Sequence, residues 1–200
     1  MRRIVVAELL SGAALHFFCE GSSLLIDCFT AGPLPVPEET MRQIDTGEGK
    51  FRSVLLRFST AAPGYEGKMM TEGTENGCKR LQMDAGPLSV TSFAVDGFSP
   101  CLIAVDGYSA LVYGQAPAEM ISRTAPLFSR ADALFLSAEA MASAGGIRAV
   151  LDVGARSVFV CRFPEDAGQL ERELTRKAAR LARKEIRLHL MQNTPCGFLL

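Results

Sequence analysis

Val54-Leu55-Leu56-Arg57-Phe58-Ser59-Thr60-Ala61-Ala62-Pro63-Gly64-Tyr65-Glu66-Gly67 runs from a compact apolar strand straight into a loop of small residues. The strand, Ser53 to Phe58, is too continuously apolar to be half exposed, so it is expected inside a sheet. The stretch from Thr60 to Asn76 carries Gly64, Gly67, Gly73, Pro63 and several polar residues, and reads as a long loop.

Upstream of that segment lies a meander. Arg3–Leu9, Ala14–Cys19 and Leu24–Cys28 are short apolar runs separated by the turn signals Ser11-Gly12 and Glu20-Gly21-Ser22-Ser23. Thr30 to Lys50 is rich in Gly, Pro and acidic residues, with one short helix expected around Glu38–Gln43. Downstream, strands are expected at Cys78–Met83, Leu88–Val95, Cys101–Val105 and Ala110–Tyr113. Asp106-Gly107 is the clearest hairpin signal, because both residues accept the positive φ of a two-residue turn.

Beyond Gly114 helix and strand alternate. A helix is expected from Pro117 to about Phe128 with an irregular end at Pro126, then a strand at Asp132–Ser137. Ala140–Val153 reads as a helix weakened by Gly145-Gly146 and closed by Gly154. Ser157–Cys161 follows as a strand. Pro164–Lys184 is the strongest helical pattern, with Leu170, Leu174, Ala178 and Leu181 on one stripe and Glu173–Lys177 as an i, i+4 pair on the polar side. Glu185–Met191 alternates, with Ile186, Leu188 and Leu190 inward and Arg187 and His189 outward. Cys196–Leu200 could add a last strand. This order predicts an α/β sandwich whose first sheet ends near Ala110–Tyr113 and whose βαβ elements follow.

Five local matches make the chain resemble the metallo-β-lactamase superfamily of hydrolases. Leu24-Leu25-Ile26-Asp27-Cys28-Phe29 stands where that family's third strand ends in a phrase like "LIDCG". The strand at 54–57 enters the family's H-x-H-x-D-H loop with Phe58, Thr60, Ala62 and Pro63 at the four ligand positions. Val95-Asp96-Gly97-Phe98-Ser99-Pro100 matches "V-x-H-x-x-P" with Gly97 at the ligand. Leu111-Val112-Tyr113-Gly114-Gln115 matches "VYTGD" with Gln115 at the bridging carboxylate. The last ligand position falls on Arg162 or, with a slip of one, Cys161. The resemblance implies a four-layer αββα sandwich formed as one domain over residues 1–200. It equally implies that the frame has been kept without the ligands.

In the family two metal ions, usually zinc, polarise substrate and activate water, which requires several imidazoles and carboxylates converging on a small volume. This chain has only two His. His16 lies in the apolar run Leu15–Phe18 and reads as a core or edge-strand residue; His189 reads as a solvated face beside Arg187. Neither falls at a ligand position, so no metal and no cofactor is expected. Phe58, Thr60, Ala62, Pro63, Gly97, Gln115 and Arg162 are expected to line the vestigial cleft. Arg162 is the sole permanent charge among them, and its paired donors suit a carboxylate or phosphate. The expectation is a catalytically degenerate protein that binds a small anion or a protein segment without cleaving it. Arg162 locked to Asp27 or Asp96 would instead favour a structural role. The rival is a non-metal enzyme rebuilt around Cys161, Arg162 and Gln115, in which the cation lowers the thiol pKa. A further alternative is action through a surface or a homo-oligomer interface.

Composition narrows the classes. With 21 basic and 22 acidic residues the net charge is −1, which gives no basic excess to attract nucleic acid. The six cysteines, at 19, 28, 78, 101, 161 and 196, contain no C-x-x-C pair and read as reduced packing residues. Met1-Arg2-Arg3 before an apolar run resembles an export signal, but Glu8 interrupts it. No run approaches the roughly 20 apolar residues of a membrane span, so a cytoplasmic protein with no membrane partner is expected. Asp45-Thr46-Gly47-Glu48-Gly49-Lys50 fails as a phosphate loop because Phe51 replaces the required Ser or Thr.

Overall fold

Three short apolar runs close together in sequence open the first sheet, and two strands from farther along the chain complete it. β1 (Ile4–Leu10), β2 (Ala14–Cys19), β3 (Ser22–Asp27), β4 (Arg52–Arg57) and β13 (Cys196–Leu199) pair in the order β13-β1-β2-β3-β4. The computed structural model describes residues 4–10, 14–19, 22–27, 52–57, 71–75, 78–85, 87–96, 98, 100–128, 130–161, 168–191 and 196–199. The expected helix at Glu38–Gln43, and with it any layer against the outer face of this sheet, lies outside the described residues. β4 was expected in a sheet interior; it is the edge of the described sheet, parallel to β3.

The second sheet has eight strands in the order β12-β11-β10-β9-β8-β7-β6-β5. They are β5 (Thr71–Glu75), β6 (Cys78–Ala85), β7 (Leu88–Ala94), β8 (Cys101–Val105), β9 (Tyr108–Gly114), β10 (Ala133–Ser137), β11 (Ser157–Cys161) and β12 (Arg187–Leu190). β5 to β9 form an antiparallel meander, and β9 to β12 run parallel. The division between sheets therefore falls after β4 and not near Ala110–Tyr113, because the meander continues by hydrogen bonding into the βαβ half. β5 also corrects the long-loop reading of Thr60–Asn76. Thr71-Glu72-Gly73-Thr74-Glu75 has no apolar side chain to announce a strand, and it is held by pairing on β6, Glu75 opposite Cys78. At the β8–β9 hairpin, Asp106 and Gly107 adopt φ of 47° and 82°, as the two-residue turn requires.

Helices cover one face of this sheet. α1 (Ala118–Thr124) follows Pro117 and relaxes into a 3₁₀ turn at Ala125–Leu127, the irregular end that Pro126 imposes. The helix expected at Ala140–Val153 is two: α2 (Ala138–Ala142) and α3 (Gly146–Val153). The corner between them is so tight that a Cβ at Gly146 would overlap Met141 O and stand 2.8 Å from Ala140 O. Gly154 closes α3 at φ 73°. α4 (Gly168–Ala182) is the amphipathic helix expected, with Leu174 and Leu181 buried. Among the described residues no helix is long and apolar enough to cross a membrane.

Alternation along the strands makes two cores. Ala7, Leu15, Phe17, Leu24 and Ile26 of the first sheet pack against Leu88, Val90, Val112, Phe135 and Phe159 of the second. Leu111, Leu134, Leu136, Val158 and Val160 point the other way, onto α1 to α4. β10, between two parallel neighbours, is buried at every position because it faces a core on both sides.

Candidate functional site

Three parallel strands, β9, β10 and β11, finish at the same edge of the sheet, where Gly114 pairs with Leu136 and Ser137 with Cys161. The carboxyl ends of parallel strands are where open α/β sheets gather their ligand-binding loops. Gly114 turns out of β9 with φ 58°, and the next residue, Gln115, is exposed. At the end of β10, Ser137 Oγ accepts the Ala140 N–H at 3.1 Å and so caps α2. At the end of β11, Cys161 is completely buried, its Sγ 3.5 Å from Met191 Sδ.

Of the residues expected to line the cleft, the structure describes Gln115 alone; Phe58, Thr60, Ala62, Pro63, Gly97 and Arg162 lie outside the described residues. Cys161, adjoining Arg162 in sequence, ends the strand two places across the sheet from the one Gln115 follows. Asp96, one of the two carboxylates considered for Arg162, pairs with Arg123 of α1. Asp96 takes φ 49° where Val95 and Phe98 exchange backbone bonds of 2.8 and 2.9 Å.

Two charged residues differ from their sequence reading. Lys177 does not pair with Glu173 on a solvated face. It is buried, and its Nζ donates to Met141 O at 2.9 Å, to Ala142 O at 2.8 Å and to Ser143 O. Glu173 pairs with Arg176 at 2.7 Å. Burial lowers the Lys177 pKa, the Glu173 carboxylate opposes that shift and Arg180 adds to it. Three carbonyls converging on one nitrogen favour the ammonium, since a neutral amine has only two N–H groups for them. Sequence reasoning missed this residue, because a lysine three residues beyond a buried leucine reads equally as the rim of a helix face.

His189 stacks on Phe159, ring centroids 4.7 Å apart and planes 10° from parallel. Leu190, expected inward, is 39% exposed, as β12 has no described neighbour beyond it. Burial, then the adjacent Arg187, push the His189 pKa below its ordinary 6.5. A base with a lowered folded-state pKa binds its proton first in the unfolded chain. Stability is therefore full above pH 6.5, declines as pH falls through that value, and levels off below the folded-state pKa. In denaturant titrations His189→Phe, which keeps the stack, is expected to flatten that decline.

The resemblance implies a pair of metal ions, and the residues present do not fit them. His16 lies on β2 in one sheet and His189 on the outer described strand of the other. The groups at the three strand ends are an amide, a hydroxyl already committed to a helix cap and a buried thiol. Among the described residues no group of three or more His, Cys, Asp or Glu could hold a metal ion.

Comparison with known proteins places the fold. No family model and no curated protein matches the sequence. Among solved structures, the β-hydroxylase CmlA is similar with a TM-score of 0.62 and 12% identity over 98% of this chain and 54% of that one. The chain thus spans about half the length of that structure. A metallo hydrolase from Ignicoccus hospitalis is similar at TM-score 0.54 and 11% identity, covering 98% of each chain. The metallo-β-lactamase fold protein YhfI from Bacillus subtilis is similar at TM-score 0.50 and 11% identity, over 98% of this chain and 100% of that one. At such identities the likeness is one of fold: the chain has a metallo-β-lactamase fold, with its sheets and helices in that fold's general topology.

Proposed function

We propose that this chain is a single metallo-β-lactamase-fold domain without metal-dependent hydrolase activity, whose vestigial cleft binds a small anion through Arg162. The observation that carries the reading is the chemistry at the ligand positions. Phe58, Ala62 and Pro63 have no lone pairs to offer, and Gln115 stands where a bridging carboxylate would be. What remains is an apolar cleft with Thr60, Gly97, an exposed amide and a guanidinium, a set that attracts carboxylate or phosphate. Two neighbouring facts support it. Gln115 is exposed at the carboxyl end of β9, and Asp96 is already paired with Arg123. A protein segment ending in a carboxylate would use the same chemistry. Thiol catalysis at Cys161 is the weaker alternative, since a completely buried sulfur is shielded from substrate.

Inorganic phosphate and citrate are the probes. Each is expected to raise the unfolding temperature of the wild-type chain in a saturable way, and Arg162→Ala to abolish the shift. Equal shifts in both proteins would count against an Arg162 site, as would the absence of any saturable response.

A further inference from the structure

The net charge of −1 conceals a segregation. Residues 168–187, α4 and the turn into β12, hold seven basic side chains against three acidic ones, whereas the rest of the chain holds 14 against 19. Arg172, Arg176 and Arg180 are exposed at i, i+4 and i+8, so they follow one another along the outward face of α4 at steps of one helical turn. Leu174 and Leu181 are buried on the opposite side. Arg172 Nε donates to Gly168 O one turn back, at 3.1 Å. α4 also stands as a ridge. On one side a hollow of about 460 Å³ lies between it and α3, with Arg148 and Arg180 in its walls. On the other a groove of about 740 Å³ lies between it and β12, walled in part by Arg187. Both carboxylates of the first hollow are engaged, Asp152 with Arg148 at 3.6 Å and Glu173 with Arg176 at 2.7 Å, and Glu185 is the acidic residue lining the second.

We propose that α4 seats in the major groove of double-stranded DNA, with the two sugar–phosphate backbones entering the hollows on either side of it. The groove, roughly 12 Å wide, admits one α-helix. Arg172, Arg176 and Arg180 then run along the DNA, while Arg148 and Arg187 meet phosphates on the two flanks, and guanidinium forks pair with phosphate oxygens. Other polyanions and surfaces fit less well. Besides its arginines the exposed face of α4 carries Gln169, Thr175, Ala179 and Ala182. It therefore lacks the apolar centre of a protein interface and the bulky apolar side chains of a helix that lies on a membrane. It has no aromatic ring on which the bases of a single strand could stack. Duplex RNA offers a major groove too deep and narrow to be entered. The acidic remainder of the chain repels a polyanion, which leaves the side of α4 as the approach. This surface is distinct from the cleft at the strand ends and needs none of its residues.

The test titrates the full chain into a fluorescein-labelled DNA duplex of mixed sequence and reads anisotropy at several salt concentrations. With five arginines at the DNA, log K is expected to fall against log salt with a slope of roughly −4.5, a loss of about five hundredfold between about 50 and 200 mM. Arg172→Gln combined with Arg180→Gln alters two exposed positions. It is expected to bring the slope to roughly −2.7 and to weaken binding at least about tenfold at low salt, with the circular dichroism unchanged. Arg123→Gln, an exposed arginine of α1, removes the same charge from another part of the surface and is expected to match the wild type. A duplex RNA of the same length is expected to bind at least about fivefold more weakly. Absence of saturable binding at low salt overturns the proposal. So does a double variant that binds like the wild type, an Arg123→Gln loss as large as that of the double variant, equal affinity for duplex RNA, or displacement of the DNA by poly-glutamate at equal charge.

Discussion

Phe135→Ala is expected to cost about 4 kcal/mol of unfolding free energy, the upper part of the range for emptying a buried aromatic site. Phe135 is wholly buried at the middle of β10. Its ring meets Phe17 of the opposite sheet edge-on at 5.4 Å and stacks on Phe159 of the neighbouring strand at 4.8 Å. Truncation therefore removes contacts across the sandwich and along the sheet together. The lining residues come from both sheets, and collapse onto the cavity would require one sheet to move against the other. Phe135→Leu, which keeps much of the volume, is expected to lose about 1.5 kcal/mol. Urea titrations of the three proteins check both values. Equal stability of wild type and Phe135→Ala would show that the two sheets do not share this core.

Lys177→Met is expected to cost about 3 kcal/mol, although it removes a charge from a buried position. Methionine keeps most of the aliphatic stem but takes the ammonium from three carbonyls of the α2–α3 corner, of which Ser143 O keeps the Gly146 N–H at 3.1 Å, and each bond to a charged group is worth roughly 1.5–3 kcal/mol. Only part of that sum is lost, because two of the three contacts are part-buried and water can replace the ammonium there. Lys177 also connects α4 to the segment that follows β10. Met141 O, one of its acceptors, is the atom against which Gly146 packs. The variant is thus expected to increase amide exchange at residues 140–146 more than in β10, which proteolysis or hydrogen exchange would reveal. A variant as stable as the wild type would mean that the corner is held by Gly146 alone.

Much of the fold could be read from the sequence because its signals are local. The Asp106-Gly107 turn, the continuous apolar run of β10 and the Leu174–Leu181 stripe each carry their own period or turn chemistry, and each forms where expected. Errors arose where tertiary pairing decides. β5 is polar throughout and exists because β6 offers it an edge; Asn76-Gly77, a hairpin dipeptide in the sequence, was the available signal. The division between sheets was misplaced because a meander looks the same whether it closes one sheet or opens the next. Lys177 could not be found from spacing, since its partners lie on α2, more than thirty residues away. The candidate cleft was legible only through the order of family-like segments. Its chemistry was read from what stands at each ligand position, and those residues carry no periodicity of their own.

The central claim is that this metallo-β-lactamase fold is kept without its metal centre. Elemental analysis by mass spectrometry tests it most directly, on full-length protein produced in medium supplemented with zinc, iron and manganese and then dialysed. The account predicts far less than one equivalent of any of the three per chain, and no change in unfolding temperature when a chelator is added. Two tightly held ions per chain, or a chelator-sensitive unfolding temperature restored by zinc, would contradict it.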